Sequence, residues 1–349
     1  MRAITSTVSS STQARLNINI IAKHFVQPHV KMKPTEILSK NTEDVADSLH
    51  TMIQRELTPH SCSSYDGYLD PSDPTITITA DDRERLVDWC YGLVEHCQFS
   101  TETVASAMEM VDRFLSTPSN SANAARVCDE ALRDRTKFQL VTVAALYISV
   151  KINERVAMSS DELSAICGHS YTAKEIEDME HTLLCGLSWR CYTPTAQQVG
   201  LSFLSLIFSQ IDIPEAVWSF ILDEMTYLIE LAVQDYYFST QRRSTVALAA
   251  IINVMSDSCI EEYQKPLERI LSVIMPCFDL DQVEIIQAAT RRLRSYADAA
   301  DEEKPIIAKV ASPIQFSPST KCVHQDNQFS IRPDQSYSAE NGALYYRSV

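Results

Sequence analysis

Thr136-Lys137-Phe138-Gln139-Leu140-Val141-Thr142-Val143-Ala144-Ala145-Leu146-Tyr147-Ile148-Ser149-Val150-Lys151-Ile152 is the stretch that decides the fold class. Wound as a helix, it places Phe138, Leu140, Val141, Val143, Leu146, Tyr147, Ile148 and Val150 on every side. A helix that is apolar all round belongs at the centre of a protein, with other helices packed about it. Its most apolar part, Leu140 to Val150, is too short to cross a bilayer and is followed at once by Lys151. The reading is a core helix over about 136–152.

The flanks supply the surrounding helices. Upstream, Thr79-Ala80-Asp81-Asp82 resembles a capping box, with acidic residues suited to a helix's positive end. Leu86, Trp89, Cys90, Leu93, Val94 and Cys97 then make one stripe at helical spacing. A second helix is expected from Thr101 to about Leu115, with Val104, Ala107, Met108, Val111, Phe114 and Leu115 inward, and Ser116 to Asp134 reads mostly as loop. Downstream, Ser159 with Glu162 and Thr172 with Glu175 form capping boxes for a short fourth helix ending near Gly168 and a fifth carrying Ile176, Met179, Leu183 and Leu187.

Past Trp189 the pattern begins again. Thr193-Pro194-Thr195 supplies a cap and then a proline at the first helical position. Helical segments follow at Pro194 to Phe208, Pro214 to Val233, Gln241 to Met255, Tyr263 to Met275 and Asp279 to Tyr296. The third of these is again small and apolar all round between Val246 and Val254, so the parallel suggests two copies of one fold. Before Ile78 the chain holds little core-forming sequence except a helix near 44–56, and Asp66 to Asp73 has the composition of a turn-rich linker. After Ala300 it turns polar and aperiodic. The expected organisation is an N-terminal region over 1–78, mostly disordered, helical bundles over 79–192 and 193–300, and a disordered tail over 301–349.

Composition narrows function. Only 6 glycines occur in 349 residues, which disfavours sheets, barrels and glycine-rich phosphate loops. A formal charge of -16 repels phosphate backbones on average and argues against nucleic acid as a partner. The cysteines sit mostly inside apolar helical patterns, with no Cys-x-x-Cys pair, and read as buried thiols in a reducing compartment. Met1 to Gln13 lacks the apolar run of a secretory signal and reads as a disordered tail with a weak likeness to a transit peptide. Asp178 and His181 have the spacing of a helical metal site, but no second such motif accompanies them. No nucleophile elbow, phosphate loop or His-Glu-x-x-His occurs. The expectation is no catalytic residue, no metal, no cofactor and no membrane span.

Several motifs, taken in order, resemble one family. Arg83-Glu84-Arg85-Leu86-Val87-Asp88-Trp89 resembles the opening of the cyclin box, and Met110-Val111-Asp112-Arg113-Phe114-Leu115-Ser116 the end of its second helix. Lys137 to Val141, then Ser149-Val150-Lys151, resemble its central helix. Met179-Glu180-His181, Leu187-Ser188-Trp189 and Pro194-Thr195 follow in the family's order. The resemblance implies an all-α protein of two consecutive five-helix cyclin-fold bundles, with a short N-terminal helix and disordered tails. It also implies a non-enzymatic regulatory subunit, which binds and allosterically activates a cyclin-dependent Ser/Thr kinase as a heterodimer, in cell-cycle control, in nucleus or cytoplasm. The alternative is a cyclin-fold scaffold in transcription without kinase activation.

By the same resemblance Lys151 and Glu180 grip the kinase backbone, and Ile148, Ile152, Leu184 and Trp189 form the apolar rim. Without it, the two charges would read as ordinary surface residues. Arg83 and Asp112 match an internal ion pair, and Leu140 a core position. Leu86 and Trp89 match part of a docking patch for kinase substrates or inhibitors, although Asp82 and Arg85 replace apolar members of that patch. Asn153 and Glu154 depart from the family's usual aromatic and acids after the lysine, and the 117–134 segment is longer than usual. Ser312-Pro313 and Ser317-Pro318 offer possible phosphorylation at Ser312 and Ser317.

Overall fold

Eleven α-helices and one 3-10 turn make up the described part of the computed structural model. It describes residues 42–57, 67–70, 72–116, 121–209, 213–256 and 280–307, with Lys265 and Glu268, and shows no strand among them. Ser312, Ser317 and the segment expected at 263–275, Lys265 and Glu268 apart, lie outside these residues.

The first half is built around the all-apolar helix. In chain order the helices are α1 (Thr42–Glu56), α2 (Ala80–Cys97), α3 (Thr101–Ser116), α4 (Ala122–Arg133), α5 (Arg135–Asn153), α6 (Ser160–Ile166) and α7 (Ala173–Gly186). α5 buries every residue from Leu140 to Val150, Leu140 itself being 6% exposed, and α3, α4 and α7 pack against it. The starts of α2, α6 and α7 are set by reciprocal capping boxes from Thr79 with Asp82, Ser159 with Glu162 and Thr172 with Glu175. Each box satisfies backbone donors that the helix itself leaves unpaired.

Within the first bundle one segment differs from the sequence reading. Within Ser116 to Asp134, read as loop, the chain forms α4, capped by the Ser121 side chain accepting from the Ala124 N–H. Its buried face is only Ala124, Val127 and Ala131, a stripe of small residues that gives a weak apolar signal. Small residues are what the site admits. A Cβ placed on Gly186 of α7 would lie 3.2 Å from the Ala124 Cβ and 2.6 Å from a Phe114 ring carbon, so the helices meet there at close range. The first bundle thus has the five expected helices plus a sixth inserted between the second and third.

The second half comprises α8 (Ala196–Phe208), α9 (Glu215–Gln234), a 3-10 turn (Tyr236–Thr240), α10 (Arg243–Met255) and α11 (Leu280–Ile307). Thr195, not Thr193, caps α8 by accepting from the Gln198 N–H, so Pro194 precedes the cap instead of opening the helix. α11 continues past Ala300, where the periodicity fades, to Ile307. α10 is the buried counterpart of α5, and its apolar residues form a second core with those of α8, α9 and α11. α1 closes this second core with Leu49, Met52 and Ile53. At its end the buried Glu56 carboxylate accepts from the Ser244 N–H at 2.8 Å and the Ser244 hydroxyl at 2.6 Å, capping α10 from another element.

The two cores are tied by polar groups. Arg83 of α2 pairs with Asp112 of α3 through two hydrogen bonds of 3.0 and 2.8 Å, and its third nitrogen donates to the carbonyls of Val233 and Gln234 at the end of α9. Arg243 of α10 pairs with Glu109 of α3 at 3.0 Å. The expected linker is partly core: Tyr68 is 5% exposed and its hydroxyl donates to Asp112, while the Tyr236 hydroxyl accepts from the Tyr68 and Leu69 N–H groups. Gly67 allows this approach, because its φ is +92° and a Cβ there would sit 2.5 Å from that hydroxyl.

Candidate functional site

The end of α5 and the length of α7 bring one pair of charges together. Lys151 lies in the last turn of α5, where Glu154 fixes the helix end by accepting from the Ser100 N–H at 2.9 Å. The Lys151 ammonium donates to both oxygens of Glu180 on α7, at 2.7 and 2.8 Å. It also sits 3.8 Å from the centre of the Tyr147 ring, one turn back on its own helix. The lysine side chain is 39% exposed and the glutamate 18%, so the pair opens to solvent while its orientation is set from below.

Along α5, α7 and the turn that follows stand apolar side chains that water still reaches. Ile152 is 45% exposed and Trp189 is 66% exposed, and Leu184, one turn beyond Glu180 on α7, is half-buried. Ile148 is different. At 3% exposure it belongs to the core and can only support this surface from beneath, because α5 turns it inward. The sequence reading did not single out Tyr147 or Glu154 as supports; the i, i+4 spacing of Tyr147 and Lys151 was the available signal.

The expected docking residues fare unevenly. Leu86 is 2% exposed and packed in the first core, so it offers no surface to a peptide, and Trp89 is half-buried. Asp82 is consumed by the Thr79 cap and by an ion pair of 3.0 Å with Arg135. On the same helix Asp88 accepts from the Gln234 side chain at 2.7 Å. Its pKa is pushed up to about 6 by partial burial and by the neighbouring Glu84.

A raised carboxylate pKa opposes the charged folded state. The contribution is fully favourable below the unfolded value near 4 and is lost as pH rises through about 6. Asp88→Asn will therefore stabilise the protein at pH 7.5 by about 1 kcal/mol, a figure kept small because the group is partly solvated, and will change little at pH 4. Urea denaturation at the two pH values checks this; equal effects at both would refute it.

Other chemistry is sparse. Among the described residues no group of three or more His, Cys, Asp or Glu side chains is placed to hold a metal, and no helix is long and apolar enough to cross a membrane. The described cysteines are all free. Burial pushes the Cys97 thiol up to about 11 and the Cys167 thiol to about 12.

Residues 47–192 match the profile of the cyclin N-terminal domain, a stretch that includes the Lys151–Glu180 pair and its surroundings. That stretch belongs to the cyclin N-terminal domain family. Cyclin-A1 of Mus musculus is 28% identical over 205 residues, which cover 57% of this chain and 44% of that protein. Cyclin-A1 of Xenopus laevis is 35% identical over 127 residues, 36% of this chain and 27% of that protein. The match therefore spans less than half the length of either relative. A solved viral cyclin from herpesvirus saimiri superposes with a TM-score of 0.48 and 15% identity, over 71% of this chain and 97% of the viral chain.

Proposed function

We propose that this chain is a cyclin, a non-catalytic regulatory subunit that binds a cyclin-dependent Ser/Thr kinase and holds it in its active arrangement, in control of cell division, in the nucleus or cytoplasm. The observation that carries the reading is the Lys151–Glu180 pair, open to solvent, together with the exposed apolar side chains of Ile152, the next residue on α5, and Trp189, just past the end of α7. An ammonium and a carboxylate side by side can donate to carbonyls and accept from N–H groups of a partner's backbone, which binds tightly whatever side chains the partner carries there. The apolar rim then keeps water from those bonds. The kinase supplies ATP binding and phosphoryl transfer. The cyclin contributes only its higher affinity for the active form, and only that difference can shift the kinase population.

The pair suits a clean test, because an ion pair this exposed contributes at most about 1 kcal/mol to folding. Lys151→Ala with Glu180→Ala will leave the melting curve nearly unchanged and cost roughly 2 kcal/mol or more of binding, about a thirtyfold rise in Kd. Binding is measured on a panel of immobilised recombinant cyclin-dependent kinases, with phosphorylation of a histone substrate as the activity readout. Loss of binding and activation in the folded double variant supports the reading. Failure of the wild-type chain to bind any member removes it, and binding without activation favours a scaffold.

A further inference from the structure

Directly after α7 the backbone does something costly. Ser188 and Trp189 have φ of +52° and +62°, two consecutive left-handed residues with no glycine between them. The turn closes with the Ser188 N–H donating to the Cys185 carbonyl at 3.1 Å and the Trp189 N–H to the Leu184 carbonyl at 2.8 Å. What it presents is an indole that is 66% exposed, which gains little from the fold.

A second unfavourable feature meets it there. Arg113 of α3 is 3% exposed and forms no ion pair among the described residues, since the adjacent Asp112 is engaged by Arg83. Its guanidinium donates instead to the carbonyl of Arg190, the residue after Trp189, and its buried Nε has no partner. A desolvated cation held mainly by one backbone carbonyl contributes little to stability for its cost. Strained backbone of this kind persists where surrounding groups over-determine it.

We infer that Arg113 is a positioning residue, which clamps the Ser188–Trp189 turn in its left-handed form so that Trp189 stands pre-set for the kinase surface. This rests on the kinase-binding reading and deepens it. Arg113 itself touches no partner. It acts through the carbonyl of Arg190, and the partner face it serves is an apolar pocket able to take an indole. Holding the indole in its bound orientation beforehand removes an ordering cost from association.

The test uses the full chain and the recombinant cyclin-dependent kinase from the panel that binds it most tightly. Arg113→Met keeps the buried stem and removes the cation, while Trp189→Ala removes the anchor. Each is expected to raise Kd about tenfold, and the two together no more than Trp189→Ala alone, because both act through one group. Ser188→Val reaches the turn from the exposed side without touching the core. A β-branched residue resists positive φ, so it is expected to raise Kd about tenfold with an unchanged melting curve, whereas Ser188→Gly stays within about twofold. This arm holds even if Arg113→Met folds poorly. Wild-type Kd in Ser188→Val, or additive losses for Arg113→Met and Trp189→Ala, overturns the inference while loss of binding in the Lys151→Ala, Glu180→Ala variant keeps the kinase reading. If that variant also binds like wild type, both fall.

Discussion

Arg83→Ala will lower the unfolding free energy by about 3–5 kcal/mol, more than any substitution in the exposed Lys151–Glu180 pair. Arg83 and Asp112 are 2% and 4% exposed, so removing the cation strands a carboxylate in a place that water does not reach. Among the described residues the Tyr68 hydroxyl, at 3.1 Å, alone remains to donate to it. The loss also reaches the second core. The last carbonyls of a helix lack partners within it, and Arg83 donates to those of Val233 and Gln234 at 2.7 and 3.2 Å, where the α9 dipole is negative. Arg83→Lys will recover little of the loss, since an ammonium cannot satisfy a two-oxygen carboxylate and two carbonyls in the planes that a guanidinium reaches. Replacing both partners, Arg83→Met with Asp112→Leu, will be milder than Arg83→Ala, because no buried charge is left over. Urea denaturation followed by circular dichroism measures all three. A loss below about 1 kcal/mol for Arg83→Ala would mean that solvent enters the pair freely.

Which parts of this molecule are legible in sequence follows from the range of the forces involved. α5 is legible because its signal is local and redundant: eight large apolar residues between Phe138 and Val150 leave no face for water. The caps at Thr79, Ser159 and Thr172 are legible because a capping box closes over three residues. α4 is not, because Ala124, Val127 and Ala131 bury little area each and find their place through packing on α5 and α7. Tyr68 reads as linker because nothing within its own segment announces Asp112 and Tyr236, 44 and 168 residues away. In the site, Lys151 and Glu180 stand out through family resemblance, and their side-by-side geometry needs the packing of α7 on α5. Ile148 shows the opposite error. A position matched by resemblance carries no burial, and burial decides whether a side chain can touch a partner.

The second large effect is expected at Trp218→Ala, which will cost about 3–5 kcal/mol. Trp218 is 2% exposed in the first turns of α9 and is the largest fully buried side chain, so alanine leaves a void that rigid neighbours fill only in part. How the cost is expressed tests whether the two cores fold as one. Their apolar clusters are distinct, although Val233 and Tyr236 of the second half pack against the first, and polar bonds join them further: Arg83 to the end of α9, Glu109 to Arg243, Asp88 to Gln234 and Glu84 to Tyr296 at 2.6 Å. The part-buried bonds of Arg83, Glu109 and Glu84 cost most when one side unfolds alone, since the other side then keeps an unpaired charge in a partly dry site, while the exposed Asp88–Gln234 bond adds little. Trp218→Ala should therefore shift a single transition, seen alike by far-ultraviolet circular dichroism and by tryptophan fluorescence, by roughly 10 °C. Adding Arg83→Ala should split that transition, with the second half melting first. If Trp218→Ala alone already splits it, the polar ties do not couple the cores, and the stability of the Lys151–Glu180 surface belongs to the first half by itself.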